Sequence, residues 1–169
     1  MIEATRTALA GQFAAALDML GNAIDACPDA VWLDESREPR FWYVAHHTLF
    51  WTDYYLSDAL ASYAPPAPFG LEELDPAGVL PPRPSTRDEL QRWLAHCRSK
   101  ADTHIAGLTS ENVGAPAGFP RLGLSRIELL LYNLRHVHHH VGQLNLLLRQ
   151  RTDSAPRWVR RGGDGVNRG

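Results

Sequence analysis

Apolar side chains recur along this chain at three- and four-residue intervals, the spacing of helices that bury one face. Ile2, Leu9, Phe13, Leu17, Leu20 and Ile24 mark a first helix over 2–26, and Pro28, which cannot continue a helix, ends it. A second, unusually aromatic run begins near Pro39, a residue suited to a first helical turn, and carries Phe41, Trp42, Val44, Trp51, Tyr54, Tyr55 and Leu60 toward position 63. The third is announced by Ser85 with Asp88 or by Thr86 with Glu89, either of which makes a capping box. Its apolar side is Leu90, Trp93, Leu94, Cys97, Ala101, His104 and Leu108, and it ends near Gly107. Ser125 with Glu128 opens a fourth helix, to about position 151.

Four helical stretches without an alternating strand pattern predict an all-α fold, a four-helix bundle in one domain over 1–161, followed by a flexible tail, 162–169. Between the second and third helices, residues 64–84 (APPAPFGLEELDPAGVLPPRP) are too rich in proline and glycine for regular structure. A connection of that length inside a compact domain serves either as a lid or pocket wall or as a plain crossover. Running the length of the bundle, it would let neighbouring helices lie parallel.

Composition narrows the function. With 169 residues, 44% hydrophobic, the chain can bury a continuous core. Its 17 basic and 19 acidic residues are scattered, so no basic stripe invites a nucleic-acid backbone and no polybasic patch a membrane. The expected partner is a small-molecule substrate. Without a membrane-length apolar run or a signal-type cleavage site, the expected location is cytoplasmic. Cys27 and Cys97 form no CxxC pair and are expected to be buried, idle thiols.

Six of the eight histidines fall in two clusters, His46 and His47 on the second helix and His136, His138, His139 and His140 on the fourth. On a helical projection Leu130, Leu134, Val137, Val141, Leu144 and Leu148 share an apolar arc, with His140 along one side of it and His136 one turn earlier, so both imidazoles aim at one point. His47 shares a face with Val44, Trp51 and Tyr54, whereas His46 follows Phe50 and Asp53; His47 is therefore the third candidate. His138 and His139, and to a lesser degree His46, suit a solvated polar tract. Three imidazoles suit a borderline divalent ion, zinc or nickel foremost, and leave a fourth position for water or substrate, as in a catalytic site. Val137 follows His136 where the zincin motif HExxH requires glutamate, which disfavours peptide hydrolysis. Asn133, Gln143, Trp51 and Tyr54 lie within a turn or two of the candidate ligands, and Arg121, Arg126, Arg135 and Arg149 are candidates to meet a carboxylate.

FWYVAHHTLFWTDYYLSDAL and RHVHHHVGQLNLLLRQ resemble the ligand-bearing helices of the DinB-like superfamily of metal-binding four-helix bundles. By that resemblance the metal ligands fall on His47, His136 and His140, and Gly142 and Gln143 match the residues after the last ligand. The resemblance further implies a long crossover between the second and third helices, homodimers, and, as in bacillithiol transferases and mycothiol-dependent isomerases, a metal that activates a low-molecular-weight thiol cosubstrate. The competing expectation is a non-catalytic, stress-related bundle in which the metal is structural.

Overall fold

The computed structural model describes residues 2–36, 38–58 and 60–163. They form helices α1 (Ile2–Ala26), α2 (Asp29–Trp32), α3 (Phe41–Tyr55), α4 (Arg87–Ala106) and α5 (Arg126–Thr152), with single 3₁₀ turns at Leu60–Ser62 and Glu72–Leu74. The four long helices are the bundle, and the one-turn α2 follows Pro28. The described residues contain no strand, and none of their helices is long and apolar enough to cross a membrane. Of the tail expected over 162–169, residues 164–169 lie outside the described residues. Gly162 and Gly163 donate to the Gly11 carbonyl and the Asp18 carboxylate on α1.

Around the bundle, α1 packs on α4 and α5, and α3 packs on α5 and α4. Cross-helix pairs give the directions. Gly21 lies against Leu94 and Asp18 pairs with Arg98, so α1 and α4 are antiparallel. His46 meets Trp93 and Asp53 meets Lys100, so α3 and α4 run parallel. His47 meets His140 and Tyr55 meets Tyr132, so α3 and α5 are antiparallel. The parallel pair is the arrangement that a long crossover makes possible.

The periodic positions form the core: Leu9, Phe13, Leu17, Leu20 and Ile24 from α1, Leu90, Trp93 and Leu94 from α4, and Val137, Val141, Leu144 and Leu148 from α5 are buried. Thr86 with Glu89 makes the capping box of α4, and Ser125 with Glu128 that of α5.

Helix α3 is shorter than its apolar pattern predicts, ending at Tyr55 instead of near position 63. The last-turn carbonyl of Asp53 accepts from Leu56 N (3.1 Å), Ser57 Oγ (3.0 Å) and Lys100 Nζ (2.8 Å), which tightens the turn and takes up an acceptor that would otherwise continue the helix. The Asp53 carboxylate is buried beneath it. It pairs with Lys100, accepts from Trp93 Nε1 at 3.0 Å and Tyr63 OH at 3.2 Å, and lies 3.4 Å from His96 Nε2. The chain's one lysine thus locks α4 to the end of α3.

Candidate metal centre

His47 comes from the middle of α3, and His136 and His140 from one face of α5, where a four-residue step stacks them one turn apart. Antiparallel packing brings the three rings together, with centroids 4.6 Å apart for His136 and His140, 4.8 Å for His47 and His140, and 5.6 Å for His47 and His136. One ring nitrogen from each lies within 4.8 Å of the other two.

The far sides of two rings are fixed. His47 Nδ1–H donates to Glu73 Oε2 at 2.7 Å, and His140 Nδ1–H donates to the Gln143 side-chain carbonyl at 2.7 Å. An imidazole that donates through Nδ1 carries its lone pair on Nε2, so both rings are held in the tautomer that presents a bare nitrogen, with the carboxylate or carbonyl behind it that metal-bound histidines usually have. Both nitrogens of His136 are buried without a hydrogen-bond partner, an arrangement that costs about 1–3 kcal/mol per group unless something coordinates it. Burial, then the neighbouring His140 and His47 rings, push the His136 imidazole down to about 3. Burial also lowers His140, only partly opposed by its bond to Gln143. Neutral imidazoles are the form a cation needs. Two imidazoles with bare Nε2 atoms, beside the buried and partnerless His136 ring, fit a borderline divalent ion held by His47, His136 and His140.

The crossover loop contributes to this centre. Glu73, on the turn Glu72–Leu74, is almost fully enclosed and also accepts from Trp51 Nε1 at 3.1 Å. Burial raises its carboxyl, but the His47 bond and charge, with Tyr43 and Trp51 alongside, hold it below the usual carboxylate range overall. Residues 64–84 are therefore both crossover and site wall. Beside the triad, a cleft of about 600 Å³ opens between this loop and the segment that precedes α5. Trp51 and Tyr55, which line the cleft, also touch His47 and His136, at centroid distances of 6.3 and 6.2 Å.

A family model of the DinB superfamily matches residues 12–144, most of the chain and all three histidines. This chain belongs to the DinB superfamily. No curated protein and no solved structure matches it. Within the DinB bundle, the remaining sequence candidates sort by contact. Gln143 orients His140, whereas Asn133 donates to the Thr52 carbonyl at 3.0 Å and ties α5 to α3. Gly142 faces open space where a Cβ would stand, and nothing in the structure explains its place in the motif. His138 meets Trp158 edge-on and His139 is exposed. His46 departs from the solvated tract expected of it. It is fully buried, shares a 3.0 Å hydrogen bond with Ser85 through Nδ1, and packs edge-on to Trp93 and Phe69. Burial pushes it down to about 4. Its ring turns toward α4 because it shares the helix face of Asp53 that packs there. Cys27 and Cys97 are buried, and burial raises both thiols, Cys27 to about 12.

Glu73 was missed in the sequence. A glutamate among EEL, in a segment without helical or strand pattern, offers no periodicity that would aim it at His47.

Proposed function

We propose that this protein is a metal-dependent enzyme in which His47, His136 and His140 hold a divalent ion, zinc or nickel, and that its reaction is transfer of a low-molecular-weight thiol to an electrophile. The observation that carries the metal is the pair of oriented imidazoles, His47 on Glu73 and His140 on Gln143, around the partnerless His136. Bound there, the ion would supply the positive charge that favours a thiol's ionised, nucleophilic form at neutral pH. The protein's own part is positional. Glu73 and Gln143 fix two tautomers, Trp51 and Tyr55 shield one side of the cluster from water, and the neighbouring cleft receives the reacting molecule.

A purely structural metal calls for a fourth protein ligand, and the candidates are engaged elsewhere: His46 with Ser85, Asp53 with Lys100, while His139 is exposed. Among the described residues, the candidate group contains three donors. That favours an open coordination position and a catalytic role.

The test offers bacillithiol, mycothiol, glutathione and cysteine with monochlorobimane to the zinc- and nickel-loaded protein and to His47→Ala. Conjugation by the wild type that the variant loses supports the reading. No metal-dependent conjugation with any of the four thiols overturns the transferase assignment, and elemental analysis of the same sample decides the metal separately.

A further inference from the structure

Helix α5 packs on α3 and α1, and its opposite side faces outward. There Leu131 is 45% exposed and Leu146 54%, although both are apolar. Arg135 and Gly142 between them are exposed, as are Glu128 and Arg149 at either end. At about 100° per residue these six positions fall within about 30° of one direction, so they form a single stripe about 32 Å long. Trp158, 68% exposed, meets His138 edge-on at 5.0 Å beside the middle of this stripe and widens its apolar part.

The order of residues along the stripe is self-complementary. About a point midway between His138 and His139, Leu131 mirrors Leu146, Arg135 mirrors Gly142 and Glu128 mirrors Arg149. Two copies of α5 laid antiparallel about a two-fold axis through that point set Leu131 of each copy against Leu146 of the other and Glu128 against Arg149, while Arg135 falls on a position without a side chain. Other pairings fail on charge. A parallel pair sets each charge against its own kind, and an antiparallel pair centred on Gly142 sets Arg135 against Arg149. The capping bonds from Ser125 fall on Glu128 Oε2, which leaves Oε1 to meet a cation.

We propose that this face of α5 is a homodimer contact, in which two copies of the chain pair α5 against α5 in antiparallel register with the two-fold axis between His138 and His139. Two Leu131–Leu146 contacts supply the apolar anchor. The Glu128–Arg149 pairs at the ends select direction and register more than they add strength. One helix per partner makes a small interface, so the dimer dissociates with a Kd on the order of 10 µM. The contact uses none of the three histidines of the metal centre, so it stands or falls apart from the function proposed above.

The test is sedimentation equilibrium of the full chain, without an affinity tag, up to about 300 µM, where a dimer of that affinity predominates. Leu131→Lys and Leu146→Glu each set a charge against a leucine and should weaken dimerisation at least about tenfold. Both positions are exposed, so circular dichroism should show the helix content unchanged. Mixed in equal amounts, the two variants should recover a dimer, because one contact then joins the two introduced charges and the other keeps leucine against leucine. A wild-type chain that stays monomeric at the highest concentration hands this face to a different partner and overturns the proposal. A dimer that either single variant leaves intact places the contact elsewhere, and a mixture that stays monomeric refutes the register; each also overturns it.

Discussion

Replacing Glu73 by alanine tests the claim that the crossover loop builds the metal centre. The carboxylate sits 2.7 Å from His47 Nδ1 and is 4% exposed, so it holds the ring from a site shielded from solvent. His47 is itself 30% exposed, so its freed N–H turns toward solvent, and the ring loses both its fixed tautomer and its fixed direction. Removing the acceptor behind a ligand histidine typically costs about 10–100-fold in metal affinity, about 1.4–2.7 kcal/mol. Glu73→Gln keeps a carbonyl oxygen within reach of Nδ1 but loses the negative charge, and should retain most of that affinity. Gln143→Ala removes a neutral acceptor from His140 and should cost less than Glu73→Ala. The assay is competition for zinc against a chromophoric chelator at pH 7.5, with circular dichroism confirming helix content. A loss below about threefold in Glu73→Ala, or equal losses for alanine and glutamine, would refute the reasoning. Because the folded protein holds Glu73 below its ordinary value of 4.5, the ionised carboxylate's stabilising share is present above that pH and lost as pH falls through the folded value.

Further outcomes follow from the same geometry. His136→Ala and His140→Ala should each abolish stoichiometric metal by elemental analysis while leaving the helical spectrum intact; full metal content in either would remove the triad. Lys100→Met leaves the buried Asp53 carboxylate without its cation and should lower unfolding free energy by about 3 kcal/mol in urea titration, with Asp53→Asn in the same background recovering part of it. Metal-free protein should lose stability as pH falls from 6.5 toward 4, because the unfolded chain protonates His46 and His136 before the folded one does; the His46 shift is worth about 3 kcal/mol, and His46→Phe should remove that share from a pH series of melting curves. Gly142→Ala, on an exposed helix surface with open space at the Cβ, should raise stability by about 1 kcal/mol; a loss of metal or of assembly would instead show that something needs the bare backbone there.

The helices were legible because each buries one face, and the three- and four-residue spacing of Leu9, Phe13, Leu17, Leu20 and Ile24 records it. His47, His136 and His140 were legible for the same reason, since helical direction separates them from His46, His138 and His139. The end of α3 was not. Leu60 continues the apolar pattern, but Lys100, 47 residues downstream of Asp53, takes its carbonyl, and sequence spacing carries no record of that meeting. His46 was misjudged for a related reason: its partner Ser85 lies 39 residues on, at the foot of a helix whose direction is set by the crossover. Glu73 belongs to the same class of long-range contacts, with its orientation fixed only once the loop has settled against Trp51 and His47.

The parallel course of α3 and α4 ties the length of one segment to two otherwise separate properties. α3 spans 15 residues, about 22 Å, so the chain leaving Tyr55 must travel back that far before Arg87 can begin the next helix in the same direction. That return journey is what carries Glu73 past His47. Shortening the segment would therefore do more than trim a surface loop. It would press α4 to turn over, parting Lys100 from Asp53, and would withdraw the carboxylate from the histidine cluster at the same stroke. Evolution or engineering can vary the outward-facing residues of this stretch freely, but its span is fixed by the bundle it crosses.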